Sequence, residues 1–193
     1  MNLEEHIGNI CKASYLQLRN IRSIRNVISK ENLITVVHAF ITSRLDYCNS
    51  LLYGLPDRQL DKLQRIQNIA ARIVSGTNKY DHIPPVLKAL HWLPIQYRVR
   101  YKINLLTFRA LSGEAPPYLI EMLKQQTPTR VLRSSTKCLL FTPKTRLKTY
   151  GDRSFVACAP ELWNKLPLSI RSTQTLNSFK KLLKTHLFNE AFD

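Results

Sequence analysis

Along the first half of the chain, apolar residues recur three and four positions apart, and the stretches that carry this rhythm end at glycine or proline. Leu3, Ile7, Ile10, Leu18, Ile21 and Ile28 trace one stripe of a first helix, and Lys12, Arg19, Arg22 and Arg25 fall on its other face. Ser29 is placed to cap a second helix, with Leu33, Val37, Phe40, Ile41, Cys48 and Leu52 as its apolar stripe before Gly54 and Pro56 stop it. A third helix begins near Asp57, runs through Leu60, Leu63, Ile66, Ala70, Ile73 and Val74, and ends at Gly76, where a left-handed cap fits. Short connections favour antiparallel neighbours, so the spacing predicts a helical bundle over residues 1–76.

The rhythm then changes. Prolines at 84, 85 and 94 leave room for one short helix, which marks residues 77–94 as a proline-rich linker. Ile95, Val99, Ile103, Leu106 and Ala110 predict a further helix, closed by Gly113 and the Pro116–Pro117 pair, with Arg98, Lys102 and Arg109 on its polar face. Residues 125–150 lose helical periodicity, and this segment predicts a small β-ribbon or ordered loop. Two helices are expected in the tail, around 154–166 and 176–188, the second with Phe179, Leu183 and Leu187 on one face and Lys180, Lys181 and Lys184 on the other. The expected fold class is mainly α: a helical bundle, then a helix-rich C-terminal lobe over residues 95–193 with a small β-ribbon or loop insert.

Charge sharpens this picture. The 193 residues hold 29 Lys and Arg against 13 Asp and Glu, a formal net charge of +16, and 44% are hydrophobic. Enough apolar material is present for a core, and the charge exceeds what solubility requires, which points to a polyanionic partner. The densest segment is Lys124, Arg130, Arg133, Lys137, Lys144, Arg146, Lys148 and Arg153, with Asp152 as its one acid. No apolar run reaches the roughly 18 residues of a membrane span, and Glu4 and Glu5 sit where a secretion signal would be basic. Cys11, Cys48, Cys138 and Cys158 lie far apart, the pattern of reduced, mostly buried thiols in an intracellular protein.

Catalytic patterns are missing from the chain. Metal-dependent nucleotidyl transfer needs converging carboxylates, and here the acids are scattered. The chain has no glycine-rich phosphate loop, and no pair of its five histidines has metal-ligand spacing. Asp81–His82 and His91–Trp92 are the one pairing with acid–base potential. A histidine beside a proline-rich turn more often serves the local backbone, and Trp92, like Trp163, reads as core. What remains is cations interleaved with Tyr80, Tyr97, Tyr101, Tyr150 and Phe155: phosphates pair with such charges and exposed rings stack on bases, although most of these rings should be core. No catalytic residue, metal, cofactor or small-molecule substrate is expected.

The order of motifs then becomes distinctive. Ser43-Arg44-Leu45-Asp46-Tyr47-Cys48-Asn49-Ser50-Leu51-Leu52-Tyr53-Gly54-Leu55-Pro56 resembles the stretch just downstream of the polymerase core in non-LTR, LINE-type retrotransposon reverse transcriptases of the jockey-like group. Leu63-Gln64-Arg65-Ile66-Gln67-Asn68, Leu90-His91-Trp92-Leu93-Pro94, Ala115-Pro116-Pro117-Tyr118-Leu119, Gly151-Asp152-Arg153-Ser154-Phe155 and Ala159-Pro160-Glu161-Leu162-Trp163-Asn164-Lys165-Leu166-Pro167 continue the match in order.

The resemblance implies a thumb and post-thumb segment that grips a template–primer duplex or target nucleic acid. It implies a truncated element, since the family's palm, with its metal-binding aspartates, and its endonuclease have no counterpart here. The expected partner is RNA, DNA or an RNA–DNA hybrid, held through phosphate contacts and not at a membrane. The expected contacts are Arg65 and Arg72 in the bundle and Arg130, Arg133, Lys144, Arg146, Lys148 and Arg153 in the second lobe. Family habit places such a protein in the nucleus, with passage through the cytoplasm as a ribonucleoprotein. Two alternatives stand beside this one: an inert remnant whose exposed apolar surface has lost its partner, and an enzyme using the Asp/His residues above.

Overall fold

The computed structural model of the chain describes residues 3–126, 138–147 and 150–193. The fold is mainly α. Its helices are α1 (Leu3–Ile24), α2 (Lys30–Val37), α3 (Ser43–Asp46), α4 (Asp57–Ser75), α5 (Pro84–Ala89), α6 (Ile95–Leu111), α7 (Pro117–Glu121), α8 (Phe155–Lys165), α9 (Leu168–Arg171) and α10 (Leu176–Phe192). By contacts the chain divides into two units, Met1–Arg98 with Ala191–Asp193, and Val99–Glu190. The first division falls inside α6, so the proline-rich stretch 77–94 lies wholly within the first unit.

In the first unit, α1 and α4 run parallel. Glu4 at the start of α1 pairs with Arg58 and Lys62 of α4, at 3.7 and 3.9 Å, and the Arg25 guanidinium beyond the end of α1 lies against Gly76 at the end of α4. Between them the chain returns in pieces. Ser29 caps α2 by accepting the Asn32 N–H, as expected, but the second helix is not continuous: a π turn at His38–Thr42 joins α2 to α3, and Cys48, at φ 51°, ends the run before a 3-10 turn at Asn49–Leu52. The buried positions here are Leu33, Val37, Ile41 and Leu45, each four residues after the last. An α-helix has about 3.6 residues per turn, so a strict four-residue repeat drifts off the core; the wider π turn takes up the drift. The same turn corrects two expected core positions, because Phe40 is 46% exposed and Cys48 faces solvent.

α4 follows its pattern closely, with Leu63, Ile66, Ala70, Ile73 and Val74 buried, and ends at Gly76 with φ 80°. Gly76 is favoured by its positive φ; a β-carbon there would also stand 2.8 Å from Arg25 Nη2, which the long arginine side chain can relieve by shifting. Two glutamines of α4 then hold the passage into α6. Gln67, 3% exposed, donates to the Leu93 carbonyl at 2.8 Å, and Gln64 accepts the Ile95 N–H at 2.9 Å. Those bonds, with buried Trp92 and Leu93, fasten the supposed linker to the bundle. Arg98, expected on an open polar face, is instead half-buried in a two-bond pair with Asp46, Nε to Oδ1 and Nη2 to Oδ2 at 3.1 Å each.

The second unit centres on Phe179 of α10, which is fully buried. It stacks on Phe108 of α6 at 4.3 Å between ring centroids and on Trp163 of α8 at 5.7 Å. The segment expected as a ribbon or loop forms an isolated antiparallel bridge, Gln125 with Leu140. Asn164 holds it by imitating a strand neighbour: its Oδ1 accepts the Leu140 N–H at 2.9 Å and its Nδ2 donates to the Leu140 carbonyl at 2.8 Å. Trp163 Nε1 donates to the Cys138 carbonyl at 3.0 Å. Helix α10 extends to Phe192, one turn beyond the expected 188.

Candidate nucleic-acid interface

On the first unit the outer face of α1 presents Lys12, Arg19 and Arg22, all exposed, spaced seven and three residues apart so that they fall on one side of the helix. Tyr15, 46% exposed, lies among them. On α4, Arg58, Lys62, Arg65 and Arg72 recur at three-, four- and seven-residue intervals and share one side of the helix. Arg65, an expected contact, is exposed and without an ion pair among the described residues. Arg58 and Lys62 are engaged by Glu4.

Arg72, the other expected contact in the bundle, does something else. Its Nε donates to the Asn78 carbonyl at 3.0 Å and its Nη2 to the Asp81 carbonyl at 2.8 Å. The Asp81 carboxylate accepts the Asn78 N–H at 2.9 Å. Together these bonds close the loop that follows Gly76 and leave Lys79 and Tyr80 at its tip, with Tyr80 92% exposed and the Lys79 ammonium 5.8 Å from the ring centroid. By sequence, Tyr80 is one of several rings near cations, most of them expected in the core. None of those five rings is buried, and Tyr150 is 79% exposed. The hint available in the sequence was a polar tip, Asn78-Lys79-Tyr80-Asp81, between a helix-ending glycine and a proline pair.

In the second unit, Lys144 and Arg146 are exposed on a segment held at its root by the Thr145 hydroxyl donating to the Asp152 carboxylate and by the Gly151 N–H donating to the Leu147 carbonyl at 2.7 Å. Asp152, the one acid in the densest basic segment, is thereby occupied. Gly151 admits no larger residue, because a β-carbon there would meet the Leu147 carbonyl oxygen at 2.6 Å. Arg153 is half-buried. Arg130, Arg133 and Lys148 lie outside the described residues. Lys181 and Lys184 are exposed along α10 and have no acidic partner among the described residues.

The suspected acid–base pairing has other local engagements: Asp81 is held in its loop as described, and His91 sits at φ 54° where α5 turns into buried Trp92. Among the described residues, no group of three or more His, Cys, Asp or Glu converges as a metal site, and no helix is long and apolar enough to cross a membrane. The cysteines depart from expectation. Cys158 is buried, and burial pushes its thiol up to about 11; Cys11 is half-buried, its thiol raised by burial against the lowering effect of Lys62; Cys48 and Cys138 are exposed, both at positive φ. No protein-family model matches the chain, and no curated protein or solved structure matches it either.

Proposed function

We propose that this chain is a thumb-like and post-thumb segment of a non-LTR retrotransposon reverse transcriptase that binds RNA, DNA or their hybrid without performing catalysis itself. The observation that carries the reading is the disposition of its charge. At a net +16, cations without an acidic partner among the described residues stand exposed on the outer face of α1, at Arg65, at Lys144 and Arg146, and along α10. Phosphate backbones are held by such arrays through release of condensed counterions, with little demand on base sequence. The ordered series of family-like motifs supports the same reading from the sequence side.

The test is fluorescence anisotropy of the full chain with a labelled RNA–DNA hybrid, a DNA duplex and single strands across a salt series. The reading expects log K to fall linearly with log salt, and charge reversal at Arg65, Lys144 and Arg146 to reduce that slope by about 0.7–0.9 for each phosphate contact removed. Unchanged affinity in all three reversals would remove it.

One observation favours the inert reading. Phe40, Tyr47 and Leu51 in the first unit are 46%, 68% and 52% exposed, large apolar side chains open to solvent. A melt without a cooperative transition, or concentration-dependent aggregation, would favour it over binding.

A further inference from the structure

Resting on the nucleic-acid reading, we infer that the loop after α4 is a rigid stacking finger: Tyr80 takes an unpaired base on its open face, and Arg72 is the positioning residue that holds it out. An exposed tyrosine at a loop tip ordinarily swings freely, and ordering it on binding consumes affinity. Here the ordering of the loop backbone is built in beforehand, and only the torsions of the ring itself are left to be fixed. Arg72 ties the carbonyls on both sides of the tip to α4, Asp81 ties the Asn78 N–H, and Arg25 packs against Gly76 at the loop's root.

Tyr80 is 92% exposed and contributes no packing, yet it is held beside an ammonium group that lies over its ring. Exposed aromatic rings next to cations are what single-stranded nucleic acid engages, because every base has a π face and every step of the strand brings a phosphate within reach of a lysine. A duplex, whose bases are already stacked, offers the ring nothing comparable. The tip therefore discriminates single strands and frayed or overhanging ends from paired helix, whereas the exposed cations elsewhere do not.

The experiment uses the full chain with 12-nucleotide strands carrying one 2-aminopurine, single-stranded or within a duplex, because stacking on tyrosine quenches that base. Expected for the wild type is quenching on the single strand. Tyr80→Ala should abolish the quenching and weaken single-strand binding about tenfold while leaving duplex affinity within about twofold, and Tyr80→Phe should retain both. Arg72→Ala should weaken single-strand binding severalfold, and Arg72→Ala added to Tyr80→Ala should bring less than a further twofold loss, because both act through the same ring. Retained quenching and affinity in Tyr80→Ala, with salt-dependent binding intact, overturns the finger and leaves the binding module standing. Fully multiplicative losses in the double variant would mean that Arg72 contacts phosphate directly, which overturns its positioning role. Absence of binding to any strand by the wild type defeats the nucleic-acid reading itself.

Discussion

Two loops of this protein are tied back by side chains of a neighbouring helix, and they differ in what the tie protects. After α4, Arg72 binds the carbonyls of Asn78 and Asp81, in a segment that is mostly exposed. Before α8, Asn164 pairs with both backbone groups of Leu140, whose side chain is 2% exposed, and Trp163 adds a bond to Cys138. In the first, water can replace every bond that is lost. In the second, the bonds shield groups that water does not readily reach. The same device thus presents residues to solvent in one place and completes a core in the other, and the two should respond very differently to truncation.

The largest effect should come from Asn164→Ala. It leaves the Leu140 N–H and carbonyl without partners beside the core, and an expected destabilisation of about 2–3 kcal/mol would register in chemical denaturation. A loss no greater than that of Arg72→Ala would break the contrast between the loops.

Next is a pH effect in the same unit. The buried Cys158 thiol ionises at about 11 in the folded protein against an ordinary 9.0, so the folded state holds its proton longer than the unfolded chain. Its contribution is therefore intact below pH 9 and is lost as pH rises toward 11, on the order of 2 kcal/mol, and Cys158→Ala should remove that part of the alkaline decline in stability. Thiol labelling gives an independent check: at neutral pH, Cys48 and Cys138 should react with an alkylating reagent well before Cys158.

Trp163→Phe keeps an aromatic ring beside Phe179 and removes the bond to Cys138. The expected loss is about 1 kcal/mol by thermal melting, together with faster alkylation of Cys138 as its segment loosens.

Smallest is Arg72→Ala, at under about 1 kcal/mol of global stability, because the bonds lie near solvent. Its signature should be local, a rise in amide hydrogen exchange at Asn78 with little change elsewhere. A global loss comparable to that of Asn164→Ala would mean that the loop after α4 belongs to the core.

Part of the candidate interface was visible without coordinates. Lys12, Arg19 and Arg22 fall on the outer face of α1 by spacing alone, because a helix converts sequence intervals directly into faces, whereas Arg65 is named only by the motif it sits in. Arg72 and Arg98 have the same intervals and the same charge, yet their guanidinium groups bond to loop carbonyls and to Asp46. Nothing in their sequence neighbourhoods distinguishes them, since their partners are set by how loops return to the bundle. The motif stretches carry structural residues too. Asp46, Trp92, Trp163 and Asn164, prominent in those segments, hold the fold through an ion pair, buried rings and clamped backbone.

The sequence by itself determined the helical class, the ends of α4 and α6, the cap at Ser29 and the excess of positive charge, because these depend on local periodicity, on glycine and proline, and on composition. Only the tertiary structure decided that the second helix breaks at a π turn, that residues 77–94 join the first unit, and which arginines are structural. Each of those outcomes depends on a partner distant in sequence: Gln67 on the Leu93 carbonyl, Asp46 on Arg98, and the core that requires Leu33, Val37, Ile41 and Leu45 on one side. Interactions of that kind leave no period in the chain, and they become legible only once the chain has folded back on itself.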